Sequence, residues 1–301
     1  HLPVSLLPVS LSTADPHPYF VSVAPETFHP GPRGRLKLFS AVLSTSLLLL
    51  LVGARGNHSD PIRVRVLTYN IHHGEGTDRR FDLWRLAEVI KSVQPDIIAL
   101  QEVDRGTDRA GGQDQLAELQ RLLGMYAEFG KAFDYAGGGY GVAVMARWPL
   151  LNPVNHPLPN SRGNEPRTAL TVHLRASEAG PLVRFTSTHL AHGRRSEDRL
   201  LQARYLNELL LSDAEQPSIL AGDLNARPGT DAMEVFDAYW TNAVTVGPQQ
   251  TITTGRRRIR GDYVLFRPAE SWSVIESRVI DDRIASDHRP VLTVLEWIRV
   301  P

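Results

Sequence analysis

The stretch Ser218-Ile219-Leu220-Ala221-Gly222-Asp223-Leu224-Asn225, closed by Arg227-Pro228-Gly229, sets the reading of the whole chain. A short apolar run bounded by turn residues reads as a buried strand. In an α/β protein, the turn after such a strand commonly carries the reactive groups. Here that turn holds an acid and an amide two residues apart, so both can face one side. An Asx turn that satisfies local backbone is the plainer alternative. The rest of the chain decides between them.

On either side of this stretch the pattern is regular. Arg63–Tyr69 alternates Val64 and Val66 with Arg63 and Arg65, a half-buried strand. Over Asp82–Val93, Leu83, Leu86, Ala87 and Ile90 fall on one helix face, and Pro95 stops the helix. Ile97–Leu100 is a second buried strand, and Leu116, Leu119 and Leu123 mark a helix ended by Gly124. Strands follow near 126–131, 141–146, 168–174 and 183–188. Ser196 can cap a helix reaching Leu211, with Leu200, Ala203, Leu206 and Leu210 inward. Further strands fall near 261–266, 273–279 and 291–296. About ten strands and four helices, many strands consecutive, argue against a simple doubly wound sheet. Two mixed sheets packed face to face with helices outside fit better.

The chain has 301 residues and no cysteine, which excludes disulfides and thiolate metal sites. Any metal must bind oxygen or imidazole. Residues 1–54 contain Arg33, Arg35, Lys37, Asp15 and Glu26, leaving 30 basic and 31 acidic side chains in residues 55–301. No global basic field draws this body to nucleic acid or anionic lipid. Leu38–Ala54 is uncharged, follows the three basic residues, and ends in the small residues Gly53-Ala54. That is the layout of a secretory signal, with a retained membrane anchor as the alternative. The chain is therefore expected to be extracytoplasmic, with residues 1–54 a leader and 55–301 the functional domain. The signal starts late and no methionine precedes Met125, which suggests that the true start lies downstream of His1.

Several strands end in residues that a packed core would avoid: Tyr69-Asn70, Gln101-Glu102, Thr188-His189, Asp223 with Asn225, Asp262 and Ser286-Asp287-His288. Singly, each could cap a helix or a turn. Gathered at one edge, buried carboxylates would repel unless a cation or proton offset them. The set would then be a nest of hard oxygen ligands suited to Mg²⁺ or Mn²⁺, with imidazoles able to bind an anion.

In order, Thr68-Tyr69-Asn70-Ile71, Gln101-Glu102-Val103, Thr188-His189-Leu190, Gly222-Asp223-Leu224-Asn225, Asp262-Tyr263-Val264 and Ser286-Asp287-His288 resemble the endonuclease/exonuclease/phosphatase superfamily. That group includes DNase I-like nucleases, abasic-site endonucleases, sphingomyelinases and inositol polyphosphate phosphatases. The resemblance spans about residues 63–297. It implies a DNase I-like four-layer α/β sandwich and a metal-dependent phosphoesterase. Asn70, Glu102 and Asp287 would hold the divalent metal. Asp223, helped by Asn225, would orient and deprotonate water, and His288, oriented by Asp262, would stabilise charge on the phosphate. His189 would bind phosphate or assist the leaving group, and Arg167 would clamp phosphate. The resemblance implies a phosphodiester substrate, in nucleic acid or in a phospholipid or small molecule, with a monoester or a catalytically silent module as alternatives. A monomer without a protein partner is expected.

Two departures from the family pattern stand out. Gly261 precedes Asp262 and loosens its aim, and no acid near Tyr140 supports His189, which would then lean on backbone. Arg260-Gly261-Asp262 spells an adhesion tripeptide, which the role of Asp262 argues against. The basic run Arg256–Arg260, like Arg194-Arg195, could touch polyphosphate. His72-His73 looks like a metal pair, but neighbours on an extended chain point apart, so at most one, His72, is expected at the rim. Gly74-Glu75-Gly76 and Gly137–Gly139 read as flexible loops.

Overall fold

The computed structural model describes residues 61–298 apart from 179, 194–196, 214, 245–248 and 253–258. The expected leader, the Ser196 cap, Arg194-Arg195 and Arg256–Arg258 lie outside the described residues. The strands are β1 (Arg63–Asn70), β2 (Ile97–Arg105), β3 (Tyr126–Tyr135), β4 (Gly138–Ala146), β5 (Leu151–Pro157), β6 (Thr168–Arg175), β7 (Leu182–His189), β8 (Ser218–Asp223), β9 (Thr241–Asn242), β10 (Asp262–Arg267), β11 (Trp272–Val279) and β12 (Val291–Trp297). The helices are α1 (Leu83–Val93), α2 (Gln115–Leu123), α3 (Glu197–Leu210) and α4 (Asp231–Asp237).

The strands form two six-stranded mixed sheets, ordered β11-β12-β1-β2-β4-β3 and β5-β6-β7-β8-β10-β9. Side chains alternate across each sheet, so every central strand feeds two apolar layers. Val64, Val66, Ile97, Ala99, Phe185, Ile219, Ala221, Val264 and Phe266 pack in the layer between the sheets. The opposite face of the first sheet, with Leu67, Tyr69, Ile98 and Leu100, is covered by Leu86, Ile90 and Leu119 of α1 and α2. That of the second, with Leu220, Tyr263 and Leu265, is covered by Leu206, Leu210, Met233 and Phe236 of α3 and α4. This is the DNase I-like four-layer sandwich. Asp82 caps α1 by accepting from the Arg85 amide at 2.9 Å, and Asp114 caps α2 by accepting from Ala117.

The fold corrects the reading of several segments. Strand β2 continues past Leu100 to Arg105 through a bulge between Leu100 and Val103. Gly138 and Gly139 belong to β4 and not to a loop; the turn is Ala136-Gly137, both at positive φ (43° and 81°), as a two-residue hairpin requires. The edge strand β5 carries Asn, Pro and His and is almost wholly exposed, so it shows no alternation to detect. Gly74-Glu75-Gly76 is likewise structured: Gly74 closes a 3₁₀ turn, and Glu75 bridges to Phe81.

A Cβ at Gly141 of β4 would run into the carbonyl oxygen of Gly130 on β3. Gly141→Ala should therefore lower the unfolding free energy by about 3 kcal/mol, the upper end for overpacking. Urea titration followed by tryptophan fluorescence measures it.

Candidate active site

Strand parity gathers the site. Val64, Val66 and Thr68 lead to Asn70, Val183, Phe185 and Ser187 to His189, Ile219 and Ala221 to Asp223, and Phe266 and Val264 back to Asp262. Each polar residue is thus the terminal member of a row that faces the inter-sheet layer. Strands β1 and β2 run parallel, as do β7 and β8, so their carboxyl ends share an edge. The antiparallel strands β10 and β12 bring their amino ends to the same edge, with Asp262 opposite Asp223 and Val291 opposite Thr68. Glu102 is out of step with its strand. The bulge, with Glu102 at φ 57°, turns its carboxylate to the site instead of Gln101's amide.

Asn70 is fully buried, and its Nδ2 donates to Glu102 Oε1 at 3.0 Å and to Asp223 Oδ2 at 3.3 Å. The two sheets are joined there through one amide. Ser286 Oγ donates to the Asn70 carbonyl at 2.8 Å, tying the 280–290 loop, and with it Asp287 and His288, to the end of β1. Asp287 is half-buried, and its negative charge reaches Tyr69 and His288. Two trios place their ligand atoms within 4.8 Å of one another: Asp223, Asp262 and His288, and His72, His73 and Glu102. Asp287 is in neither.

His288 Nδ1 lies 2.9 Å from Asp262 Oδ2, and Nε2 lies 3.8 Å from Asp223 Oδ2. Gly261 does not spoil this aim. Its amide and that of Asp262 donate to the buried Thr251 Oγ1, at 3.0 and 3.3 Å, and a Cβ at Gly261 would stand 3.0 Å from Asp223 Oδ1. Glycine is there for space. The adhesion tripeptide is buried: Arg260 stacks over Tyr263 and is only 8% exposed.

His189 leans on a side chain, not on backbone. Arg167 Nη1 is 2.9 Å from its Nδ1, and Nη2 is 3.0 Å from His192 Nδ1. Arginine can only donate, so Nδ1 accepts from it, while Nε2 lies 3.4 Å from Asp223 Oδ2. Arg167 is itself buried and also pairs with Glu165 at 3.0 Å. Asn225, at φ 48°, turns back so that its Nδ2 donates to the Leu190 carbonyl and lies 3.0 Å from His189 Nε2. Its own amide donates to Asp223 Oδ1 at 2.8 Å.

The electrostatics follow from burial and crowding. Burial, with the charge of Asp262 beside it, pushes the Asp223 carboxyl up to about 6. Burial opposes charging His288, but Asp262 and Asp223 outweigh it and raise the imidazolium to about 10. His189 is held neutral by burial and by the Arg167 charge. Burial works against the Glu102 carboxylate, yet the His73 imidazole, the Asn70 amide and the His288 charge keep it well below the usual range.

Glu102, Arg167, His189, Asp223, Asn225 and His288 line a cleft of about 360 Å³. Asn70 and Asp262 lie buried, bonded to Glu102 and His288 respectively. Tyr140, His192, Arg109 and Phe133 also line it, and none of these announced itself in sequence except by position on β3 and β4, in the turn after β2 or after β7. So do both His72 and His73, against the expectation of one, because they sit in a turn at φ 45° and 44° and not on an extended chain. A hard divalent cation fits this donor set: Glu102, Asp223 and Asp262 offer carboxylate oxygens and crowd together with more negative charge than His288 offsets.

The chain belongs to the endonuclease/exonuclease/phosphatase family, whose model matches residues 67–288. Its members are hydrolytic phosphoesterases. The chain is 29% identical over 242 residues to the uncharacterized protein YbhP of Escherichia coli K12, a match covering 75% of this chain and 94% of that protein. It is 24% identical over 152 residues to protein cwh43 of Schizosaccharomyces pombe; that match takes in 50% of this chain but spans only 15% of cwh43. Among solved structures, an endonuclease/exonuclease/phosphatase from Beutenbergia cavernae is similar, with a TM-score of 0.65 and 28% identity over 78% of this chain and 72% of the other.

Because the folded pKa of His288 lies above its unfolded value of about 6.5, its contribution to stability is complete below that pH and is lost as pH rises through about 10. Asp262→Asn should flatten this loss. Urea unfolding at a series of pH values between 6 and 10, compared for the two proteins, reads it directly.

Proposed function

We propose that the protein is an exported, Mg²⁺-dependent phosphoesterase that cleaves a phosphodiester by attack of water at phosphorus. The observation that carries this reading is the Asp262–His288 pair at 2.9 Å, set against Asp223, which Asn70 links to Glu102. Asn70, Glu102 and Asp287 would hold the ion, which when bound offsets charge on the phosphate.

The chain's own residues supply the rest. Asp223 keeps Oδ1 on the Asn225 amide and directs Oδ2 toward His189 and His288, where it takes the proton of the attacking water. His288, held cationic by Asp262, donates to a phosphate oxygen as charge grows there. His189 turns its Nε2 to the same region, and Arg167 behind it adds positive field. The rings of Phe133, Tyr135 and Tyr140, tilted 54° to 78° to one another, and the Arg109 guanidinium 4.6 Å from the Tyr135 ring centroid offer an aromatic wall and a cation to the esterified group. Export rests on the basic residues 33–37 and the apolar stretch Leu38–Ala54.

The test is hydrolysis of bis(p-nitrophenyl) phosphate, plasmid DNA, RNA, sphingomyelin and glycerophosphoinositol with Mg²⁺. EDTA should abolish turnover and Mg²⁺ restore it; undiminished turnover in EDTA contradicts the metal role. Asp223→Asn and His288→Ala should each lower kcat by about 10²–10⁴, the range for a general acid or base. Wild-type kcat in Asp223→Asn removes the assigned base.

A further inference from the structure

The turn that follows Asn70 is built in a way that the phosphoesterase reading does not need. His72 and His73 are consecutive residues at φ 45° and 44°, a conformation that side-chain-bearing residues rarely adopt twice in succession. It brings both imidazoles to one side, ring centroids 4.3 Å apart, at the wall of the cleft. Gln115 Nε2 donates to the His73 carbonyl at 2.5 Å and pins the turn to α2.

The carboxylates nearest His73 stand beyond hydrogen-bonding distance. His73 Nδ1 lies 3.9 Å from Glu102 Oε2, and His73 Nε2 lies 3.6 Å from Glu75 Oε2. Both separations exceed a hydrogen bond. The Nδ1–Glu102 separation matches the roughly 3–4 Å between two atoms each about 2.1 Å from one ion, whereas Glu75 stands at the ring's other nitrogen. His73 is 88% buried by its 12% side-chain exposure, and its Nδ1 is enclosed without a hydrogen-bond partner. His72 Nδ1 is 3.0 Å from the Glu75 carbonyl. A carbonyl can only accept, so the proton is on Nδ1 and the lone pair on Nε2. That second-sphere arrangement orients a histidine for metal binding.

We infer that His72, His73 and Glu102 form a second metal site, distinct in chemistry from the oxygen-rich one and suited to a borderline ion such as Zn²⁺ or Co²⁺. Two imidazoles and a carboxylate select such an ion over Mg²⁺, and Glu75, at the opposite nitrogen of His73, faces away from it. Three protein ligands leave a position open toward the cleft. Glu102 is shared with the proposed Mg²⁺ site and would bridge the two ions. The histidines belong to the second site alone.

The test is titration of the full chain with Co²⁺ in saturating Mg²⁺, followed by the visible absorption of the metal and by calorimetry. The expected result is one Co²⁺ bound per chain with a d–d spectrum of nitrogen ligation. His72→Asn/His73→Asn, chosen because Asn accepts the left-handed backbone, should weaken Co²⁺ binding at least 100-fold. Mg²⁺-dependent quenching of intrinsic fluorescence should be retained. Circular dichroism melting checks that the variant folds; if it does not, the single substitutions His72→Asn and His73→Asn, each expected to weaken Co²⁺ at least tenfold, decide. No Co²⁺ binding by the wild type, or a spectrum and affinity unchanged in the variants, overturns the inference. Loss of EDTA-sensitive turnover in the wild type would instead bear on the phosphoesterase reading, so the two failures are separable.

Discussion

The structure depends on a pair of carboxylates that the sheet forces together. Register sets Asp223 of β8 opposite Asp262 of β10, and both are almost completely buried. Two ionised acids so placed repel strongly in a medium that screens poorly. His288 relieves part of this by taking a proton between them, which is why its imidazolium is held so far above the ordinary range. Asn70 adds neutral hydrogen bonds across the sheets to Glu102 and Asp223, but no charge. The remaining excess of negative charge makes the edge receptive to a cation, and a phosphate that arrives with one completes the neutralisation.

Two parallel pairs and two antiparallel returns bring this about. Residues far apart in sequence meet because each ends or begins a strand at the same edge and on the same face. The inter-sheet core is therefore more than ballast: Val64 and Val66 set the phase of Asn70, and Ile219 and Ala221 that of Asp223. A one-residue slip would turn each site residue to the helical layer. Glu102 escapes the phase of its strand only through the bulge.

Much of this was legible in the sequence. Alternation in 63–69 and the apolar run 218–221 placed strands whose ends are polar, and the six ordered motifs pointed to the fold and to Asn70, Glu102, Asp223, Asp262 and His288. What could not be read depends on backbone that departs from regular form. The left-handed turn at His72-His73 reverses a rule that holds for extended chain. The hairpin at Ala136-Gly137 hides two glycines in a strand. The partner of His189 is Arg167, supplied by β6's approach and not by a neighbouring acid, and no spacing rule announces it. Strand β5 has neither alternation nor apolar content, since an exposed edge needs neither.

The two histidine-bearing regions of the cleft embody different chemistry on one carboxylate. On one side Glu102 accepts from the Asn70 amide, which also donates to Asp223; on the other it faces two imidazoles. The claim common to both is that this edge of the sandwich gathers its acids around a metal. Diffraction from crystals soaked in Mn²⁺, recorded at the manganese absorption edge, tests it most directly. The account predicts an anomalous peak about 2.2 Å from oxygens of Glu102 and Asn70 or Asp287. Anomalous density confined to surface carboxylates, with none at Glu102, would contradict it.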